Sequence, residues 1–192
     1  MRALASIGAL NAWSTDRRAA LWQAERPLRR EELGGSRIGD DLDRPELQGS
    51  PLRPMSPEDR LAADYATLRL TTGPHPMALR RASLQDTVWR SDQLREAPEG
   101  ARIRVAGQVI CRQRPGTAQG VCFLSLEDET GITNAIVSPE LFEAERLRIS
   151  TEPFLLVEGL VQRRHGTVHV RALRLERLPD HGIQTAASHD FA

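Results

Sequence analysis

From residue 101 onward, apolar side chains recur at every second position, and this pattern constrains the fold more than any other feature of the chain. The alternation is clearest at Ile103, Val105, Val109 and Cys111. Side chains two residues apart point to the same face of a β-strand, so this segment is predicted to be a strand with one buried face. Gly107 lies inside the strand and predicts a bend or bulge there.

Four more strands are predicted after the first, at residues 120–127, 132–137, 154–161 and 167–175. A helix is predicted between the third and fourth strands, because Ser138-Pro139-Glu140 is a typical helix start. Five strands with one helix between the third and the fourth follow the order of an OB-fold, and closing the sheet into a barrel removes its exposed edges. We therefore predict an OB-fold domain over residues 99–178.

The part of the chain before residue 99 lacks this alternation. Residues 1–24 are predicted to form two short helices around a tight turn, with no evident cover for Trp13 and Trp22. Residues 25–98 are rich in proline and glycine and are predicted to be a linker with short helices, one starting at Ser56-Pro57. Residues 179–192 are predicted to be a C-terminal tail. The fold class is therefore α+β: short helices and an extended linker, followed by a five-stranded OB-fold β-barrel.

The net charge of the chain is zero, with 26 basic and 26 acidic residues. This balance argues against a protein that coats DNA by charge alone, so any contact with nucleic acid must come from a local patch. All the basic residues are arginine. Arginine suits phosphate contacts, but a high-GC coding bias gives the same enrichment, and the composition alone does not decide between them.

A local patch is predicted from the way OB-folds bind oligonucleotides, which is on the face of strands two and three and on the loops that join strands one to two and four to five. Both loops are expected to carry positive charge, and this favours nucleic acid as the ligand. The candidate residues in the loops and on the outer side of strand five are Arg112, Arg114, Arg163, Arg164, His165, His169 and Arg171.

Phe123 is the one aromatic residue on strands two and three. The segment from Val121 to Leu126 is apolar at successive positions, so we expect Phe123 to lie in the core. If it is exposed instead, it is a candidate for stacking on one base.

Other candidate sites are weaker. Cys111 and Cys122 form no disulfide framework and are expected to be small buried residues that face each other in a hairpin. The run from Glu127 to Glu129 is expected to be a charged turn, and His75 part of a structural turn, with no metal at either place.

The chain has no phosphate-binding glycine loop, signal peptide or apolar membrane span, so we expect a cytoplasmic protein without a cofactor or catalytic residues of its own.

Several separate motifs occur in an order that resembles one known family. They are Ile7 to Leu10, Arg17 to Trp22, Gly73-Pro74-His75-Pro76-Met77, Arg112 to Ala118, Phe123 to Gly131, and Ser188-His189-Asp190-Phe191. Together they resemble the C-terminal region of bacterial C-family DNA polymerases, relatives of the polymerase III α subunit, and in particular the error-prone branch used in damage tolerance. Residues 1–24 resemble the end of that family's helix-hairpin-helix region.

The resemblance implies a fragment that binds single-stranded DNA for a polymerase engaged in DNA replication and damage-induced translesion repair synthesis. The family's catalytic aspartates and the Mg²⁺ of its active site belong to an upstream polymerase domain, so none is carried over to this chain, which is expected to be inactive alone. The implied partners are single-stranded DNA and the upstream polymerase portion or other replication and repair proteins, with no membrane.

Two alternatives remain open from the sequence. One is an autonomous protein that binds single-stranded nucleic acid, or an adaptor that docks on a polymerase. The other is the anticodon-binding barrel of a tRNA synthetase, which has a similar strand at Arg104-Val105-Ala106-Gly107. The second is disfavoured because the helical segments before the barrel match the polymerase.

Overall fold

The computed structural model describes residues 2–12, 14, 16–25, 50–164, 166–178 and 188–191. The chain divides into two compact units, residues 1–72 and residues 73–192. Residues 26–49 of the predicted linker, Trp13, His165 and residues 179–187 and 192 of the predicted tail lie outside the described residues.

Three helices build the described part of the first unit: α1 (Arg2–Ser6), α2 (Arg17–Glu25) and α3 (Pro57–Leu68). The predicted start of α3 is confirmed. The Ser56 hydroxyl accepts a hydrogen bond from the Asp59 backbone N–H, and the Asp59 carboxylate accepts one from the Ser56 N–H. This reciprocal pair satisfies two backbone donors that the first helical turn leaves without partners.

A buried ion pair holds the helices of the first unit together. Arg17 and Asp64 are 8% and 1% exposed, and Arg17 Nη1 lies 2.6 Å from Asp64 Oδ1. The same nitrogen also donates to the carbonyls of Ser6 and Arg60. Asp64 Oδ2 accepts from the backbone N–H of Thr72 at 3.2 Å. One carboxylate therefore joins α2, α3 and the segment that follows α3.

The second unit begins with short elements: α4 (Pro76–Arg81), β1 (Val88–Trp89) and a 3₁₀ turn (Asp92–Arg95). The structural role expected for His75 is present, because its Nδ1 accepts the backbone N–H of Met77 at 3.1 Å and caps α4. Burial lowers the pKa of His75 more than the facing carboxylate of Glu127 raises it. The imidazole is therefore held in the neutral form that can accept this hydrogen bond.

The predicted barrel is confirmed. Its five strands are β2 (Arg102–Gln113), β3 (Cys122–Asp128), β4 (Gly131–Val137), β5 (Phe154–Arg164) and β6 (Thr167–Arg177). They pair in the order β2-β3-β4-β6-β5, and pairing of β5 with β2 closes the sheet. Only the β4–β6 pair of the barrel is parallel among the described strands. Two short helices, α5 (Pro139–Ala144) and α6 (Arg146–Thr151), replace the one helix predicted between the third and fourth strands.

Two short strands extend the barrel on β2. β1 pairs with β2 in parallel at Arg104 and Val105. β7 (His189–Phe191) lies in the segment predicted to be a tail, and it pairs in parallel with β2 at residues 111–113.

Two pairs of barrel strands, β5 with β6 and β2 with β3, approach each other closely at a glycine. A Cβ on Gly159 would lie 2.3 Å from the carbonyl oxygen of Arg171, and one on Gly107 would lie 2.9 Å from the carbonyl oxygen of Glu127. The bulge predicted at Gly107 occurs between Val109 and Cys111 instead. Gly107 therefore gives β3 room to approach the strand and does not itself interrupt the pairing.

The two cysteines are both free, as expected. The expectation that they face each other is wrong, because Cys111 lies opposite Ser125 and Cys122 opposite Val137. The last pair of β2 and β3 joins Gln113 to Phe123, so the turn between the strands is longer than predicted and Cys122 lies beyond the paired part of β2. Burial raises the pKa of the Cys122 thiol.

Candidate nucleic-acid interface

The outer face of four neighbouring strands, in the order β3-β4-β6-β5, brings several of the predicted residues together. Phe123 pairs with Ile136, Ile136 with Arg171, and Arg171 with Leu160, which makes one row across the sheet. The next row consists of Ser125, Asn134, His169 and Gln162. The two rows place an aromatic ring, a guanidinium group and a set of uncharged polar groups on one surface.

Phe123 lies on this outer face, and its residue surface is 37% exposed. The expectation that it lies in the core is wrong. Cys122, Leu124 and Leu126 occupy the inward positions of β3 and are at most 2% exposed. Phe123 is in phase with Ser125 and Glu127, which are polar, and this period of two was the signal in the sequence that indicated an outward ring.

The central row carries hydrogen-bonding groups that sequence reasoning largely missed. The Ser125 hydroxyl donates to Asn134 Oδ1 at 3.1 Å. Among the described residues the Asn134 amide nitrogen has no acceptor, so it is available to a ligand. His169 is half-buried, and its Nδ1 has no hydrogen-bond partner among the described residues. Asn134 and Gln162 could be recognised only after the strands were paired, since each lies opposite His169 from a different strand.

Two arginines lie exposed at this face. Arg171 is exposed on β6, and Arg164 is exposed at the end of β5, two residues beyond Gln162. Among the described residues neither has an acidic or hydrogen-bonding partner. In contrast, Arg102 and Arg174, elsewhere on the barrel, pair with Glu158 and Glu176.

Arg112 was predicted to lie in the loop after the first barrel strand, and this placement is wrong. β2 continues to Gln113, so Arg112 belongs to the strand. Its side chain is 12% exposed, and its guanidinium donates to the carbonyls of Ile149 and Glu152 and contacts Ser188 and Asp190. Its donors are therefore directed into the protein.

Arg114 lies in the predicted loop, beside the 3₁₀ turn Gly116–Ala118. Its Nη2 is 3.1 Å from Glu143 Oε1, and its guanidinium carbon lies 4.3 Å from the centre of the Phe142 ring. The charge of Arg114 is thus shared with an exposed carboxylate next to the barrel.

The second predicted loop is shorter than expected, because β5 continues through Arg164. Arg163 and Arg164 point to opposite sides of this strand. Arg163 donates to the carbonyls of Arg95 and Ala97, at 2.9 and 2.6 Å. The structure therefore groups Phe123, Arg164, His169 and Arg171 on the outer face, and it separates Arg112, Arg114 and Arg163 from them.

The acidic run from Glu127 to Glu129 was expected to be a charged turn, but only Glu129 lies in the turn, because Glu127 and Asp128 are the last residues of β3. The Asp128 carboxylate accepts hydrogen bonds from the backbone N–H groups of Ser91, Thr130 and Gly131. Arg81 Nε lies 2.7 Å from Glu129 Oε1. Among the described residues, no group of three or more histidine, cysteine or acidic side chains could hold a metal ion.

These hydrogen bonds make the stability of the second unit dependent on pH. Burial by itself raises the pKa of Asp128, but the bonds from Thr130 and Ser91 outweigh burial and lower it. A carboxyl group whose pKa is lowered in the folded state contributes its full stability above the ordinary aspartate pKa of about 4. That contribution is lost as the pH falls through the folded-state pKa.

We therefore expect Asp128→Asn to lower the free energy of unfolding by about 1–3 kcal/mol at neutral pH. The difference from the wild-type chain should shrink as the pH falls below the ordinary aspartate pKa of about 4 and through the lower folded-state pKa, where the wild-type carboxylate is itself protonated. Urea unfolding at neutral and acidic pH measures both values. A difference that stays constant with pH would contradict this role of the carboxylate.

Residues 103–178 match the tRNA anti-codon family model, described as an OB-fold nucleic acid binding domain. A solved structure of asparaginyl-tRNA synthetase from Pyrococcus horikoshii is similar to 47% of this chain, with 28% identity, a TM-score of 0.36 and coverage of 21% of that protein. The family match and the closed five-stranded barrel together show that residues 103–178 form an OB-fold domain.

The whole chain has relatives of a particular kind. It is 41% identical over 197 residues to an error-prone DNA polymerase of Aromatoleum aromaticum, covering 100% of this chain and 18% of that protein. It is 44% identical to that of Anaeromyxobacter sp. strain K, covering 88% of this chain and 14% of that protein. The chain therefore belongs with the error-prone DNA polymerases and corresponds to their C-terminal region, less than a fifth of their length. Within the described part of the chain, every helix is too short or too polar to cross a membrane.

Proposed function

We propose that the outer face of β3, β4, β6 and β5 binds single-stranded DNA, as the accessory binding region of an error-prone DNA polymerase. The observation that carries the proposal is the presence on one face of the exposed ring of Phe123 and two arginines, Arg164 and Arg171, that have no internal partner among the described residues. An aromatic ring stacks on a base of any identity, and a free guanidinium binds the phosphate beside it.

The chemistry of this face suits a single strand better than a duplex. Stacking on Phe123 requires a base whose flat surface is accessible, and the bases of a duplex are already stacked on each other. The row of Ser125, Asn134 and His169 adds groups that can hydrogen-bond to the edge of a splayed base. Arg171 lies in the same row as Phe123, where it can contact the backbone of the stacked nucleotide.

In this proposal the chain contributes binding and not chemistry. The polymerase reaction, its catalytic aspartates and its Mg²⁺ would belong to another part of such a polymerase, in replication and in translesion repair synthesis. The chain would hold the unpaired template strand and so keep it from re-pairing near the site of synthesis. The upstream polymerase portion or other repair proteins would be its partners.

A second candidate is RNA. The family model that matches residues 103–178 carries the name of the tRNA anticodon. The whole-length similarity to DNA polymerases favours DNA. An autonomous single-strand-binding or adaptor protein would use the same face.

The test is a titration of the full chain against a labelled single strand of about 20 nucleotides, the same sequence as duplex, and tRNA. Each is measured at about 50 and about 200 mM salt, because phosphate contacts weaken as salt rises. The proposal expects the single-stranded DNA to bind most tightly at low salt. Equal binding of duplex DNA, or tighter binding of tRNA, would contradict it.

The contribution of stacking is tested by Phe123→Ala. We expect single-strand affinity to fall by about 1–3 kcal/mol, or about 5- to 150-fold, because one stacked base is lost. Phe123→Trp should retain the affinity, since it keeps an aromatic face. Leu147→Ala is the matched control, as it removes an apolar side chain that is 78% exposed on α6. An equal loss in the Leu147 variant, or none in Phe123→Ala, would contradict the stacking role.

A further inference from the structure

The edge of β2 between residues 111 and 113 lies next to a strand that the barrel itself does not require. On this side, β5 pairs with β2 only up to Gln108, opposite Phe154. β7 then takes the edge, with Cys111 opposite His189, Arg112 opposite Asp190 and Gln113 opposite Phe191. The other barrel strands thus leave this part of the β2 edge unpaired, and a separate extended segment of the same chain, β7, pairs with it.

A polar clamp on Arg112 fixes this segment. One nitrogen of the guanidinium contacts the Ser188 hydroxyl and lies 3.3 Å from Asp190 Oδ1. The Ser188 hydroxyl also donates to Asp190 Oδ1, at 2.7 Å. The other nitrogens donate to the carbonyls of Ile149 and Glu152. These two bonds, to α6 and to the residue that follows it, fix the orientation of the planar guanidinium. Its remaining nitrogen therefore faces the Asp190 carboxylate.

A cavity of about 280 Å³ opens beside the clamp. Its apolar wall includes Cys122, Phe142 and Ile149, and Arg112, Arg114 and Asp190 lie at its polar side. A strand edge, a directed cation and an adjoining partly apolar cavity are the parts of a site that binds an extended peptide by adding it to a sheet. In such sites the backbone bonds give affinity, and side-chain contacts give specificity.

The present occupant of the edge is held by few contacts. β7 is three residues long, and the Asp190 side chain is 55% exposed. Short segments with exposed hydrogen bonds open at low free-energy cost. A segment on the same chain still competes well, because its tether gives it a high effective concentration.

We propose that the edge of β2 at residues 111–113, together with Arg112, is a docking groove for an extended acidic peptide segment of a partner protein. In this structure the groove is occupied by residues 188–191 of the chain itself. The Asp190 carboxylate on Arg112 defines the chemistry of the occupant: an extended strand with a carboxylate side chain at its middle position. The chain's own segment would then limit access of the partner to the groove.

The experiment compares the full chain with a chain that ends at residue 187. The probe is a fluorescently labelled peptide of residues 186–192, and binding is followed by anisotropy. The peptide should bind the shortened chain at least about tenfold more tightly than the full chain, because the tethered competitor has been removed. The same peptide with Asp190→Asn should bind about tenfold more weakly or worse, since a charge-assisted hydrogen bond is lost. In the shortened chain, Arg112→Lys should weaken binding as well, as lysine lacks the planar fork.

If the shortened chain is poorly folded, the peptide should raise its unfolding temperature, because a ligand of the folded state stabilises it. A shortened chain that neither binds the peptide nor is stabilised by it would overturn the proposal. Equal binding of the wild-type and Asp190→Asn peptides would also overturn it. If the full chain forms dimers that the free peptide dissociates, the occupant is a second copy, and the assignment to a partner protein is wrong.

Discussion

Replacing Gly159 with alanine is expected to destabilise residues 73–192 by about 3 kcal/mol or more. The new Cβ would lie 2.3 Å from the carbonyl oxygen of Arg171 and 2.7 Å from Val170 Cγ1. The oxygen belongs to the backbone of β6, which pairs with β5 around this point. Relief of the clash therefore requires β5 and β6 to separate around Gly159. Urea unfolding followed by circular dichroism measures the change as a lower midpoint.

Gly116→Ala is the matched control for this variant. A Cβ at Gly116 would meet nothing within 4 Å. Its effect should stay within about 0.5 kcal/mol, as for most surface changes. Similar midpoints for the two variants would show that close packing at Gly159 does not limit the stability of the barrel.

Replacing Asp64 with alanine is expected to destabilise the first unit by about 3–5 kcal/mol. The substitution leaves the guanidinium of Arg17 buried without its carboxylate, and it also removes the acceptor for the backbone N–H of Thr72. An uncompensated buried charge costs far more than a lost surface pair. Hydrogen exchange of the α3 amides measures the loss in this unit separately from the barrel.

Two further variants separate charge from packing at this position. The double variant Arg17→Met, Asp64→Leu should recover much of the stability, because it removes both charges and restores apolar volume. Glu25→Ala breaks the exposed pair between Glu25 and Arg2 and should cost about 1 kcal/mol or less. A loss in Asp64→Ala no larger than that in Glu25→Ala would contradict a structural role for the buried pair.

The barrel could be predicted from the sequence because its signal is local. The alternation along β2 and the turn residues after β3 are read within a few positions, and the strand order then limits the topology. The ends of the strands could not be predicted in this way. β2 and β5 each continue past their expected ends because neighbouring strands supply hydrogen bonds there. Arg112 and Arg163 therefore lie in strands and not in loops.

Other features depend on contacts between distant residues. The pairing of β7 with β2 requires an edge that exists only once β5 has turned away at Gln108. A charged residue such as Asp64 is expected at the surface, but Asp64 is buried because it pairs with Arg17, which is 47 residues away in the sequence. The candidate interface could be predicted only in part. Its positive charge was predicted, but the structure was needed to show which arginines have internal partners among the described residues.

The central claim is that Arg164 and Arg171 contact the phosphates of a single strand, and the salt dependence of binding tests it most directly. In single-strand binding, each phosphate contact contributes about 0.7 to the slope of log affinity against log salt concentration. The double variant Arg164→Ala, Arg171→Ala should therefore reduce the slope by about 1.4. The control double variant Arg102→Ala, Arg174→Ala removes two arginines that already pair with Glu158 and Glu176. The account predicts a reduced slope for the first pair and a nearly unchanged slope for the second, and an unchanged slope for the first pair would contradict it.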